Sequence, residues 1–433
     1  MHITTHPSYD KAIQNYQYWC DLYEGGNRVE GREKFLPRHT LETDNQYQFR
    51  LTRSVYKNYV KPIVGVWNSH VWRCAPVRTG LSETDLAIDT DKGGLNTFFQ
   101  YITLRSLITG VHFVLVDAPQ FSGNNKQESK LMQYKPRFLS LDPLQVINWG
   151  FVPGSTHELD WITLTESSEV EATPYSSRRY VDRYRVITRK DWKLFERNDK
   201  SFTIIDQGIN EIGAVPVVPF YYSSDTDMIG VSLIKDIASL VIKLFQKENE
   251  MDICEFYSAV PFLFFRGFTE EEIAVFMLEP GNAVRTDNVD ASVLFIESQG
   301  AALSQLRETT KDLHTAIQEI ALRQLKDRNV MPLSYIRARL DKMQLETQLE
   351  AWSHMCSESE KRCWSIVGAF LRKDYSKITV TYNTDFSLEE VDAAVLRELR
   401  EMATQNIISN DVVVQALKDW EVIHKDKTSI TSK

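Results

Sequence analysis

Between residues 51 and 73, Val55, Tyr59, Ile63, Trp67 and Val71 recur every fourth position. That is the spacing of one face of an α-helix. Pro62 falls inside the run and predicts a bend or restart, because proline lacks the N–H and clashes with the preceding turn. The stretch 95–109 reads as a second helix closed by Gly110, a residue free to take the left-handed conformation of a helix end. From 111 the pattern changes. Residues 111–117 form an apolar run, and 137–149, 161–167, 184–196, 201–206 and 215–222 are β-rich runs separated by turn residues. Helices followed by such a block predict an α+β body with an antiparallel or mixed sheet.

Helical spacing returns at 232. Ser232 is a candidate N-cap. Ile234, Ile237, Val241, Leu244 and Phe245 form one stripe, and Lys235, Asp236, Ser239, Lys243 and Lys247 the other. The run 232–259 corresponds to about 42 Å of helix, twice the usual globular length. Pro261 stops it. Residues 261–300 read as a small cap: strand 262–265, short helix 270–277, turn at 280–282 and strand 293–296. Arg266 and Arg285 there stand against Glu270, Glu271, Glu272, Glu279, Asp287, Asp290 and Glu297. A helix over 301–325 returns with Leu303, Leu306, Leu313, Ile317 and Ile320 as its stripe. A basic segment follows, then a third long helix (334–371), a strand (378–386) and two amphipathic helices (388–404 and 409–419).

Composition narrows the picture. The chain has 433 residues, 42% hydrophobic and 25% charged, with a formal charge of −9. These values belong to a folded chain with a sizeable core. An acidic surface does not coat DNA by neutralising its phosphates. Cys20, Cys74, Cys254, Cys356 and Cys363 are scattered without CxxC spacing, against a disulfide framework or a zinc site. The start has no signal-peptide pattern and no apolar run reaches membrane-spanning length, so synthesis in a cytoplasm is expected. Motifs for phosphate loops, dinucleotide folds, zinc proteases and serine hydrolases are missing, so no catalytic centre and no cofactor are expected. The densest carboxylates, Asp85, Asp89 and Asp91, would suit a divalent cation or metal-assisted hydrolysis, but the loop also reads as a solvated turn. His112 on its apolar strand reads as a core histidine.

The order of these elements resembles the portal, or head-to-tail connector, proteins of tailed bacteriophages. Strings that carry the likeness are LTRSVYKNYVKPIVGVWNSHVWR (51–73), ITGVHFVLVDAPQ (108–120), FLSLDPLQVINWG (138–150), IGAVPVVPFYYS (212–223), AVPFLFFRGF (259–268) and ITVTYNTDFS (378–387). The resemblance implies a portal-like α+β fold. Its parts are an N-terminal wing (1–227), a first stem helix (228–260), a clip (261–300), a second stem helix (301–325), a tunnel loop (326–333), a long helix with a closing wing strand (334–386) and a helical crown (387–433). It further implies a ring, usually of twelve copies, at one capsid vertex of a virion, assembled in the host cytoplasm. Double-stranded DNA passes through the ring during packaging and ejection. Its partners are the terminase motor, neck or adaptor proteins and the major capsid protein, with no membrane.

Candidate residues follow. Ile234, Ile237, Val241, Leu306, Leu313 and Ile317 are expected at the interface between subunits, because two long stripes need partners and head-to-tail contacts close into rings. A hairpin packed within its own chain is the alternative. Phe262, Phe264, Glu270, Glu271 and Glu272 are candidates for clip contacts; core packing and a solvated helix N-terminus are the plainer readings. Arg323, Lys326 and Arg328 are candidates for DNA contact in the tunnel loop, with Val330, Met331 and Pro332 shaping the constriction, or else ordinary cations at a helix C-terminus. An oligomeric virion adaptor that conducts no DNA and a metal-dependent hydrolase are the competing functions.

Overall fold

Helix α1 (Pro7–Glu24) starts where Pro7 presets the backbone and the His6 ring accepts the Ser8 N–H at 3.1 Å. The computed structural model describes residues 3–118, 136–170, 179–198, 201–226, 228–259, 262–271, 273, 286–296, 301–322 and 332–386. Helices and strands are mixed, as the α+β expectation has it. Residues 1–384 form one unit and 385–433 a second. The expected helices at 388–404 and 409–419 lie outside the described residues.

The helix expected across 51–73 is two helices. Helix α2 (Asp44–Arg53) opens on a reciprocal Thr43–Gln46 capping box, and α3 (Val60–Val71) carries Pro62 in its first turn, where no N–H is needed. Residues 54–59 stay out of the helix because earlier segments bind them. The Gly31 N–H donates to Ser54, the Tyr56 N–H to Glu30, and the Tyr56 hydroxyl to the Leu22 carbonyl. Val55, placed on the helical stripe by its spacing, is 62% exposed.

The short strand β1 (Val77–Thr79) leads through α4 (Glu83–Leu86) and β2 (Asp89–Thr90) to α5 (Leu95–Thr109). Gly110 ends α5 with φ 83°. Strand β3 (Val111–Asp117) then lies between β4 (Arg137–Leu141) and β10 (Val217–Tyr221), both antiparallel to it, and β2 adds to β4 in parallel. Residues 111–116 are all buried, which explains an apolar run broken only by His112.

The expected single β-rich block is two sheets. The 137–149 run is cut by a turn in which the Gln145 N–H reaches the Asp142 carbonyl and the Leu144 N–H its carboxylate. Beyond that turn, β5 (Val146–Phe151), β6 (Leu159–Val170), β7 (Arg179–Thr188), β8 (Asp191–Asn198) and β9 (Ser201–Ile209) make a five-stranded antiparallel meander. After β10, the small pair β11 (Ser224–Thr226) and β12 (Ile229–Gly230) delivers the chain to α6 (Lys235–Ala259). Ser232, expected as the N-cap, accepts the Ile234 N–H but lies ahead of the cap position, because the first helical bond runs to the Ile234 carbonyl and the regular helix starts at Lys235.

Beyond α6, the strands β13 (Phe262–Arg266) and β14 (Ser292–Ile296) pair antiparallel, α7 (Ala301–Leu322) follows, and α8 (Pro332–Leu371) is 40 residues long. The expected closing strand shrinks to β15 (Thr379–Thr381), which pairs with β1. Tyr382 leaves the strand to bond Ser357 and Glu360 on α8. The core is aromatic: Phe138 touches Phe98, Phe99 and Trp364, joining α5, the four-stranded sheet and α8.

Candidate functional site

Two helices carry a strand pair away from the body. In α6 and α7, Arg307 pairs with Glu255 at 3.0 Å. His314 meets Tyr59 edge-on at 5.2 Å, and Tyr59 also touches Glu248. Positions rise along one helix as they fall along the other, so the pair is antiparallel. Segments 49–59 stitch to α6 as well: Lys57 to Glu248 at 2.8 Å and Arg53 to Asp252 at 3.2 Å. Arg53 also lies over the rings of Phe49 and Phe256, which themselves touch. The Glu248 hydrogen bond raises Lys57 above the usual lysine range. Burial, with Glu248 beside it, pushes Tyr59 up.

Burial falls along this pair. At the root, Ile234, Ile237, Val241, Leu244 and Phe245 are buried. From residue 250 to 256 no described side chain of α6 is buried, and on α7 only Ile317 is buried among described side chains. The expectation of a subunit interface is therefore corrected for Ile234, Ile237, Val241 and Ile317. Their side chains fill the chain's own interior, because the body folds up against the root of α6. Leu306 and Leu313 remain half-buried.

At the far end stands the β13–β14 ribbon. Phe264 faces Leu294 across it, and these two residues are 48% and 55% exposed. Val293 is exposed too, as is Val289 ahead of β14. A two-stranded ribbon is marginal by itself in water. Gly267 turns the chain with φ 77°, and Asn288 donates to its carbonyl. Phe262 pairs with Ile296 in the ladder. Glu270 and Glu271 are exposed. Glu272 lies outside the described residues, as do Arg323, Lys326, Arg328, Val330 and Met331. Pro332 is the first residue of α8.

The root is fixed by a backbone crossing. A Cβ on Gly110 would run into Val231, and one on Gly230 into Gly110. Around the crossing, the Leu233 N–H bonds the Leu107 carbonyl, the Tyr222 N–H the Gly110 carbonyl, and the Gly230 N–H the Tyr16 hydroxyl.

A second support holds α8. Glu360 is fully buried and takes the Arg78 guanidinium, the Tyr382 hydroxyl at 2.7 Å and the Trp364 indole N–H at 3.1 Å. Arg78 also donates to Asn96. Burial pulls Arg78 down, and the Glu360 contacts outweigh it and raise the group overall. Burial, with Glu360 next to it, holds the Tyr382 hydroxyl protonated. Sequence reading missed both charges, since a lone arginine and a lone glutamate 282 positions apart give no signal. Cys356 and Cys363 are buried near Glu360, and burial pushes both thiols up.

The remaining candidates have structural occupations. Asp85 reciprocates the Ser82 cap and pairs with Lys373 at 2.9 Å. Burial raises Asp85, but its bonds to Ser82 and Lys373 outweigh that and hold it well below the carboxylate range. Asp91 accepts the Ser140 N–H. His112 is buried on β3, with Nε2 2.8 Å from the Ser140 hydroxyl, and burial pulls it down to about 3.

No helix among the described residues is long and apolar enough to cross a membrane. No curated protein matches the chain. A family described as "Domain of unknown function (DUF4055)" matches residues 234–371, from the root of α6 to the end of α8 and less than half of the chain. Among solved structures, a chain in "Virion of native gene transfer agent (GTA) particle" is similar at 12% identity and TM-score 0.43, covering 80% of this chain and 84% of that one. Chains in "Neck of empty GTA particle computed with C6 symmetry" and "Neck of native GTA particle computed with C12 symmetry" are similar at 9% and 10% identity, both at TM-score 0.43. They cover 83% and 82% of this chain and 88% of theirs. At that score these likenesses carry no argument of their own.

Proposed function

We propose that the chain is a portal subunit: copies stand in a ring at one capsid vertex, and double-stranded DNA enters and leaves through the axis. The single observation behind the reading is the loss of burial from the root of α6 to the β13–β14 ribbon. Paired rods anchored in the body end in an apolar ribbon with Phe264 and Leu294 uncovered. Neighbouring copies side by side supply that cover, and a heterologous contact whose rotation closes makes a ring.

The acidic balance of −9 suits passage over binding. DNA carries a phosphate about every 1.7 Å of axis, and an acidic wall repels it over about 8 Å at physiological salt. In this reading Lys326 and Arg328 touch phosphates at the constriction, and Glu270, Glu271 and Glu272 face the packaging motor or a neck adaptor. The chain acts by shape and charge and performs no chemistry. Asp85, committed to Ser82 and Lys373, lends no support to a hydrolase.

Class-average electron micrographs of the purified protein test the proposal. A ring with an open axial hole is expected. A closed or linear assembly favours an adaptor that conducts no DNA, and a single copy at high concentration overturns both readings.

A further inference from the structure

Residues 3–6, ahead of α1, form a strap on the outer edge of β5, which is the end strand of the meander. The His6 N–H donates to the Ile147 carbonyl at 2.9 Å, and the Asn148 side-chain amide donates to the Thr4 carbonyl at 2.7 Å. A sheet edge carries unpaired backbone groups, and the strap covers some of them. Ile3 and Thr5 also wall the groove between α1 and the meander, together with Ile147, Tyr184 and Phe202.

One side chain ties the strap to both neighbours. His6 is the N-cap of α1: its Nδ1 accepts the Ser8 N–H at 3.1 Å, and its carbonyl accepts the Asp10 N–H. The same ring stacks on Trp149 of β5, with centroids 4.2 Å apart and planes 19° from parallel. An accepting Nδ1 places the neutral ring's proton on Nε2. A protonated ring is a donor at both nitrogens, so it cannot accept the Ser8 N–H, and its charge faces the positive end of the helix dipole. Serine, threonine or asparagine would cap α1 at any pH. Histidine caps it only while neutral.

The charges around the ring are few. Asp10, in the first turn of α1, favours the charged form; burial outweighs it and holds His6 below the usual histidine range. β5 carries no ionisable side chain. Asp142, ahead of β5, is paired with Arg105 at 2.7 Å. Across the groove, Tyr184 of β7 and Arg197 of β8 complete the set. A charged ring over Trp149 gains a cation–π contact, which offsets part of the lost cap and makes the opening partial.

We propose that His6 is an acid-sensitive latch: its protonation frees the Ser8 N–H, frays the first turn of α1 and loosens residues 3–6 from β5, opening one wall of the groove. The Tyr9 hydroxyl still bonds the Leu144 carbonyl at 2.9 Å, so α1 itself stays in place. The folded chain favours the neutral ring, so the latch is shut above about pH 6.5 and opens as pH falls below it. The latch belongs to the single chain and does not depend on the ring.

Hydrogen exchange read by mass spectrometry on the full chain tests it. Between about pH 7.5 and about pH 5, protection of the peptide carrying the Ser8 and Asp10 amides, corrected for intrinsic exchange, should fall about fivefold, the factor for losing one N-cap. His6→Asn keeps a capping side chain without a titrating ring and should be equally protected at both pH values. His6→Ala should be weakly protected at both. Protection independent of pH in the wild type overturns the latch. So does an equal fall in His6→Asn, which assigns the acid response to another group, and so does His6→Ala protected like the wild type at the higher pH.

Discussion

Glu360 shows how much one side chain decides. A buried carboxylate is tolerable only while Arg78, Tyr382 and Trp364 satisfy it. Removing one partner leaves the other charge stranded. Arg78→Met should cost about 3–5 kcal/mol, and the double change Arg78→Met with Glu360→Leu should recover most of it; denaturant titration of the three proteins measures both. His112 makes a pH prediction. Its folded value, about 3, lies below the usual histidine range, so below pH 6.5 the unfolded chain takes up a proton that the folded chain refuses. Stability is thus lost as pH falls from about 6.5 toward 3, by about 1.4 kcal/mol per unit. His112→Gln should flatten the pH dependence of unfolding by one proton over that window. Arg372 holds φ 52° after α8, where glycine has no Cβ to strain. Arg372→Gly should raise stability by about 1 kcal/mol in the same assay.

At the scale of elements, the α6–α7 pair separates fold from assembly. Ile237 is buried in the chain, whereas Leu306 is half-buried and Phe264 exposed. Ile237→Asp should therefore lower the melting temperature of the single copy and cost more than about 3 kcal/mol. Phe264→Asp should leave melting nearly unchanged and weaken assembly, as sedimentation velocity would read. Equal effects of both substitutions on assembly alone would contradict the burial gradient. The helical stripe of α6 was legible in the sequence, because spacing fixes which residues share a face. What that face meets was not legible. Ile234 and Val241 pack inside the chain because residues 49–59 and α1 fold back onto the root, and these contacts join positions almost two hundred residues apart. The split of 51–73 into α2 and α3 has the same cause: the Gly31 and Tyr56 N–H groups find partners that local spacing does not reveal.

For the whole molecule, the proposed channel makes its own demand. Replacing Lys326 and Arg328 by alanine should change DNA packaging or retention while rings still form; particles filled normally would remove the DNA role from that segment. Reversing charge at Glu270 and Glu271, both exposed, should weaken docking of motor or adaptor, measured as binding to isolated rings. Both tests use the assembled ring.

The sequence by itself determined the local elements: the helical stripes, the buried run of β3, the glycine that ends α5 and the two long helices bracketing a short ribbon. Each follows from side-chain period, φ freedom or the missing N–H of proline, all properties of a residue and its near neighbours. Only the tertiary structure decided that the β-rich block is two sheets, that Arg78 and Glu360 meet inside the protein, and that Gly110 and Gly230 must both lack a Cβ. Those outcomes depend on which distant segments desolvate one another, a choice made by packing and by the cost of leaving a buried polar group without a partner.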